Sequence, residues 1–173
     1  MAELRYFKTN IKPLFYRDAF IVYQDIIKNA IIDNSLPPEI VQIVNNDLIN
    51  VSRAPLIVIR RVDSPQGPSI NHINEKVVNL GKDIVTGSST YDINMAIFSY
   101  GNTYLEAERL GSIVQETLIT TSINKVRKIS DNKIIGHMLL GWSGTDYLQN
   151  NSKLMFNRVD IRIQMLLEYS VDI

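Results

Sequence analysis

The chain closes on Val159-Asp160-Ile161-Arg162-Ile163-Gln164-Met165-Leu166-Leu167-Glu168-Tyr169-Ser170-Val171-Asp172-Ile173, and the alternation in this stretch decides the fold. Val159, Ile161, Ile163, Met165, Leu167, Tyr169, Val171 and Ile173 share one parity. Asp160, Arg162, Gln164, Glu168, Ser170 and Asp172 share the other, with Leu166 the single exception. Side chains of a strand point to opposite faces in turn, so the pattern predicts a strand with one apolar and one polar face. Its extent is roughly 50 Å at 3.3 Å per residue, far beyond the usual five or six residues. One small domain hardly covers such a strand. It either wraps a strongly bent sheet or reaches a neighbouring subunit.

Working outward, Tyr91 to Tyr100 predicts a second strand, with Tyr91, Ile93, Met95 and Ile97 on one face and Asp92, Asn94, Ala96 and Phe98 on the other. It leads through Gly101-Asn102 into a helix. Thr103-Tyr104-Leu105-Glu106 has the spacing of a capping box, and Ala107, Leu110, Ile113, Val114 and Leu118 form the buried stripe, ending near Ile119. An earlier helix runs from about Tyr16 to Ile32, with Tyr16, Ala19, Phe20, Tyr23, Ile27, Ala30 and Ile31 at helical spacing. Pro37-Pro38-Glu39 reads as the first turn of a second helix carrying Ile40, Ile43, Val44 and Leu48. Ala54 to Val62 is a strand whose Leu56-Ile57-Val58-Ile59 run expects cover on both faces.

Two segments read less regularly. Residues 63–90 carry Ser64-Pro65-Gln66-Gly67-Pro68-Ser69 and later Gly81, Gly87, Ser88 and Ser89, which is turn chemistry; the reading is a long loop in which Lys76 to Leu80 can pair as a strand. Residues 124–142 read as a β-hairpin, Asn124–Ser130 and Lys133–Trp142, turning at Asp131-Asn132. The fold class expected is α/β of the α+β kind. A mostly antiparallel or mixed sheet packs on two main helices, in one domain spanning 1–173.

Composition narrows the function. In 173 residues, 18 Lys+Arg balance 18 Asp+Glu, 45% of residues are hydrophobic and cysteine is absent. A neutral chain is unlike a domain that works by gripping nucleic acid. Zero cysteines exclude disulfides, thiolate metal sites and a cysteine nucleophile. No stretch approaches the roughly 20 apolar residues of a membrane span, and the opening Met1-Ala2-Glu3-Leu4-Arg5-Tyr6 lacks the apolar core of a signal peptide, so a soluble cytoplasmic protein is expected.

Catalytic and cofactor patterns are sparse. His72 lies in the long loop and His137 in a predicted strand, where a lone histidine is ordinarily a surface or core residue. Gly141-Trp142-Ser143-Gly144 has the wrong glycine spacing for a nucleophile elbow. There is no HExxH, no DxDxDG and no glycine-rich phosphate loop, so no metal or cofactor is expected. Arg60-Arg61 and the Lys125, Arg127, Lys128, Lys133 group read as solvated rims, able at most to touch a passing nucleic-acid strand without base readout. What a monomeric enzyme does not explain is the long loop and the overlong terminal strand. Both fit subunits that pair edge to edge in a ring.

The element order then becomes informative. An amphipathic helix, the strand Pro55-Leu56-Ile57-Val58-Ile59-Arg60, a long loop, Tyr91-Asp92-Ile93-Asn94-Met95-Ala96-Ile97-Phe98 entering Thr103-Tyr104-Leu105-Glu106-Ala107-Glu108-Arg109-Leu110, and a closing alternating strand together resemble the tail terminator (tail completion) proteins of tailed bacteriophages. The resemblance covers about 16–119 and 153–173. It implies a ring of six subunits that caps the tail tube, stops its polymerisation and presents the head-docking surface, with DNA passing through the lumen without sequence-specific binding. Implied partners are the tail tube protein, head completion or neck proteins and, in a contractile tail, the sheath. The location implied is the virion tail or neck after assembly in the host cytoplasm. No catalytic residues carry over. The interface residues expected are Gln66, Asn71, His72, Asn74 and Lys82 in the loop, and Asp160, Arg162, Gln164 and Glu168 on the polar face of the last strand. Two other readings stand beside this one: a head completion or stopper ring, whose channel-closing loop would be 63–90, and a small α/β enzyme or ligand-binding domain centred on Ser143 and His137.

Overall fold

The computed structural model describes residues 8–11, 16–44, 51, 53–62, 70–79, 84–148 and 151–172. Their centre is a pair of long antiparallel strands, β5 (Ile84–Gly101) and β8 (Asn151–Asp172). The two are paired without a register break from Ile84↔Asp172 to Gly101↔Met155. The length of the last strand, for which a bent sheet or a neighbouring subunit were the two expectations, is therefore matched by β5 inside the chain. Each long strand is also flanked on its far side. β1 (Lys8–Ile11), β6 (Ile134–Trp142) and β7 (Asp146–Leu148) pair with successive parts of β8; β3 (Leu56–Arg61) and β4 (Ile70–Asn79) pair with opposite ends of β5. β2 (Val41–Ile43) joins the far edge of β3 in parallel, completing a mixed eight-stranded sheet.

The alternation reads out as two cores. On one face Ile57, Ile59, Ile93, Met95, Ile97, Val159, Ile161, Ile163 and Met165 are buried beneath α1 (Tyr16–Asp33) and α2 (Tyr104–Thr120). On the other, Leu56, Val58, Ala96, Phe98, Tyr100 and Leu154 form a smaller cluster. β3 is thus covered on both faces, as its unbroken apolar run predicts. The helix side takes Ala19, Phe20, Tyr23, Ile27 and Ile31 from α1 and Ala107, Leu110, Ile113, Val114 and Leu118 from α2, which is the expected stripe. Fully burying one such aliphatic side chain stabilises by about 1.5–3 kcal/mol, so this layer dominates the fold. The α+β class is as expected.

Four local readings are corrected. The capping box is displaced by one residue. The Thr103 hydroxyl accepts from the Glu106 N–H at 3.2 Å, but the Glu106 carboxylate accepts from the N–H of Asn102 (2.6 Å), one position before the cap. The helix expected from Pro37 is a single 3₁₀ turn, Pro38–Ile40, followed by β2. The β-branched Val41 and Ile43 gain ladder bonds on the edge of β3, and Gln24 of α1 donates to the Val41 carbonyl at 2.9 Å. Leu48, assigned to that helix, lies outside the described residues.

The segment 63–90 is not a loop throughout. Residues 63–69 and 80–83 lie outside the described residues, but 70–79 are β4 and 84–90 belong to β5, in a hairpin with register shifts after Ile70 and Asn74. Ladder pairing here overrides the turn-forming composition of Gly87, Ser88 and Ser89. Finally, Ile123–Ile129 is a helix, α3, not the first arm of a hairpin. The Ser122 hydroxyl caps it by accepting from Lys125 N–H (3.3 Å), and Arg127 and Lys128 occupy its last turn. Asp131 and Asn132, at φ 53° and 59°, end it in left-handed conformation. The Asn132 N–H reaches back to the Arg127 carbonyl at 2.8 Å, a helix-terminating bond rather than a strand reversal.

Candidate functional site

The sheet face away from the helices concentrates the charged side chains. Even-numbered positions from Asp92 to Phe98 on β5 and from Arg158 to Gln164 on β8 point there, and the register places Arg158 opposite Phe98, Asp160 opposite Ala96, Arg162 opposite Asn94 and Gln164 opposite Asp92. β3 adds Arg60, also opposite Ala96. The Arg60 guanidinium lies 4.5 Å from the Phe98 ring centroid and that of Arg158 5.3 Å from it. Contacts of this kind are worth about 0.5–1 kcal/mol each where exposed. Arg158 Nε and Nη2 also donate to both oxygens of Asp160, at 2.8–3.0 Å. Both partners keep about a third of their side-chain surface, so the pair orients Arg158 more than it stabilises the fold. Arg162 Nε donates to Asn94 Oδ1 at 3.4 Å.

Below the arginines lies an aromatic floor. Phe98, Tyr100 and Phe156 sit with ring centroids 6.1 Å apart, and Phe98 and Tyr100 are close to parallel. Burial raises the Tyr100 hydroxyl above its ordinary pKa, with the Arg60 charge pulling it back. Three guanidiniums, the Asp160 carboxylate already engaged, the Asp92 carboxylate and two amides make a surface that can take a backbone phosphate or a carboxylate row. None of these groups is arranged to read a base edge.

The structure gathers part of the predicted interface. Asp160, Arg162 and Gln164 stand half-buried in one row of this face. A Cβ on Gly136, across on β6, would come within 3.2 Å of Gln164 Oε1, so that glycine makes room for the amide. Asn71, His72 and Asn74 have their backbone in β4 and Glu168 in β8, but their side chains lie outside the described residues, as do Gln66 and Lys82 altogether. Arg60, Phe98, Tyr100 and Arg158 were not singled out as an interface. Finding them requires knowing that β3, β5 and β8 are neighbours and in which register, although shared parity on β5 and β8 was available.

The Ser143 and His137 constellation is not assembled. The residues lie six positions apart on and just past β6, roughly 20 Å at 3.3 Å per residue. His137 Nδ1 is held by the hydroxyl of the fully buried Tyr23 at 3.0 Å, while Ser143 Oγ accepts from the Arg158 N–H at 3.1 Å. Burial lowers the pKa of His137 and raises that of Tyr23, so both stay neutral and tie β6 to α1. Among the described residues, no three His, Asp or Glu side chains cluster as metal ligands would. No family model matches the sequence, and no curated protein matches it.

Proposed function

We propose that the chain is a structural subunit of a tailed-phage virion that forms a ring, caps the tail tube, ends its polymerisation and offers the head its docking surface. The observation that carries this reading is the spine of β5 and β8. Its helix-side core runs over Ile93–Ile97 and Val159–Met165, while the pairing continues to Ile84 and Asp172. Along that extension β4 and β1 flank the pair as a four-stranded blade, and each of them packs substantially on one strand only. Among the described residues no further strand pairs with the outer edges of β1 and β4, and an edge of that kind is a liability in a monomer and a joint in an assembly.

In this reading the partners are further copies, six in a closed ring, the tail tube protein on one side and head completion or neck proteins on the other. The sheath joins them in a contractile tail. The arginine-bearing face suits DNA that passes the lumen without being read. No catalysis and no cofactor enter the role. The hairpin pairing of 70–79 with 84–91 supports a terminator over a stopper ring, which needs that segment as a free channel-closing loop. Light scattering tests the proposal on the chain alone and mixed with tail tube protein. A species about six times the 19.7 kDa chain mass, formed alone or on the tube, is the expected result. A monomer indifferent to every virion protein would overturn it.

A further inference from the structure

Two surfaces at opposite ends of the helical layer lie outside the site described above. At the start of α2, Leu105 is 76% exposed, and Trp142, at the end of β6, is 59% exposed. Trp142 stands opposite Val159 and so on the helix side of the sheet. The link that follows it is pinned to α2, because the Thr145 hydroxyl donates to the Glu108 carboxylate one helical turn beyond Leu105. Glu106, Glu108 and Asp146 give this end three carboxylates against the ammonium of Lys153. Arg109 is turned away, donating to the Asn34 carbonyl.

At the other end a recess of about 240 Å³ opens between α1 and the turn from α3 to β6. Ala19, Ile21, Val22, Ile129, Ile134 and Met165 make its apolar walls, and Ser130, Asp131 and Lys133 complete the lining. Small-molecule sites run from roughly 300 Å³ upward and need placed polar groups. Here the nearest hydroxyl, Ser130, is engaged by its own chain, donating to the Arg127 carbonyl and accepting from the Ile134 N–H. The recess therefore has the size and polarity to take one large apolar side chain. Asp131 and Lys133 are exposed in its lining, and α3, which leads into it, carries the exposed Lys125, Arg127 and Lys128.

We infer that these two surfaces are the halves of a head-to-tail contact, with Leu105 and Trp142 of one copy seated at the recess beside Ile129 of the next. The inference rests on the ring reading and adds a helix-side contact between neighbouring copies to the blade edges described above. Pairing either end with itself sets like charges against each other, whereas pairing unlike ends sets carboxylates against cations, so the contact is heterologous, the kind that a closed ring repeats from copy to copy.

The absence of cysteine makes a clean test. Full-length Leu105→Cys and Ile129→Cys chains, both altered at exposed positions, are mixed under oxidised glutathione, alone and with tail tube protein, and run on non-reducing gels. The mixture is expected to give at least ten-fold more cross-linked dimer than either chain alone. Adding Arg127→Glu and Lys128→Glu to the Ile129→Cys chain should cut the yield about ten-fold. Trp142→Cys replaces Leu105→Cys if the latter melts below wild type. Equal cross-linking of Leu105→Cys with itself, or none in either mixture, overturns the inference. If wild type still assembles to ring mass in light scattering, the ring reading survives that failure; a wild type that never assembles takes both down.

Discussion

Gly111 sits in the middle of α2, where glycine costs about 1 kcal/mol relative to alanine in helix propensity. Its place is explained by β8. A Cβ built on Gly111 would lie 2.5 Å from Asn157 Cγ, 2.6 Å from Oδ1 and 2.9 Å from Cβ. Asn157 is itself buried, and its Cβ moves only with the strand that pairs with β5. Gly111→Ala should therefore gain about 1 kcal/mol of helix propensity and lose about 2–3 kcal/mol to overpacking, netting about 1–2 kcal/mol of destabilisation. For a chain of this size that lowers Tm by roughly 2–8 °C. Urea and thermal unfolding of Gly111→Ala, Asn157→Ala and the double variant form the cycle that isolates the contact. Removing Asn157 Cγ and Oδ1 takes away the two closest contacts, so the double variant should be more stable than the sum of the single losses by at least about 0.5 kcal/mol. A Gly111→Ala chain as stable as wild type, or strictly additive losses, would refute the close approach of α2 to β8.

Three further outcomes are expected. Ile163→Asp puts a carboxylate at a fully buried position between β8 and the helices, costs several kcal/mol and should leave the chain insoluble on expression; normal melting would remove Ile163 from the core. Thr103→Ala loses the hydroxyl that accepts from the Glu106 N–H and should cost about 1 kcal/mol, read as a lower urea midpoint. His137 has a folded pKa below its ordinary 6.5, so the unfolded chain binds more protons in mild acid and stability falls as pH drops below about 6.5 towards the folded pKa. His137→Gln should flatten that decline between about pH 7 and pH 5, and an unchanged slope would mean that another group sets it.

The parts of this fold that could be read from the sequence are those with long, clean periods. β8 and the core half of β5 alternate through buried positions, and α1 and α2 each repeat apolar residues over four turns, so their type and burial were legible. α3 was not, because seven residues with one buried side chain, Val126, carry almost no period. Asp131-Asn132 serves a helix end as readily as a hairpin. The end of β4 was legible, since Lys76–Leu80 reads as a pairing strand and 77–79 do pair, but its start was hidden by composition, because Asn71, His72 and Asn74 gain strand structure only from their partner. The Tyr23–His137 bond joins residues 114 apart in sequence, and no local signal reports it. The arginine stack on Phe98 was half legible, because the sequence reads Phe98 as a core residue on the face opposite Ile93, Met95 and Ile97, and the smaller core holds it there. Its meeting with Arg158 depends on a register that only pairing sets.

These placements constrain how a ring would be oriented. The recess and the Leu105–Trp142 surface both belong to the helical side of the sheet and lie towards opposite ends of α2. A head-to-tail contact through them therefore runs roughly along that helix and consumes none of the opposite sheet face. Arg60, Arg158 and Arg162 stay clear of the joint, on a face that is the same in every copy. With DNA in the lumen, that face is the one whose charge suits the inside, because phosphates attract guanidiniums whatever the base sequence. The Asp160 carboxylate then has a definite part. By engaging Arg158 from the same strand it holds the guanidinium over Phe98 and offsets one of three positive charges, so that under the proposed ring DNA in the lumen would meet a weakly cationic wall rather than a strong binding site. A conduit needs that balance: enough charge to tolerate the polyanion, too little to hold it.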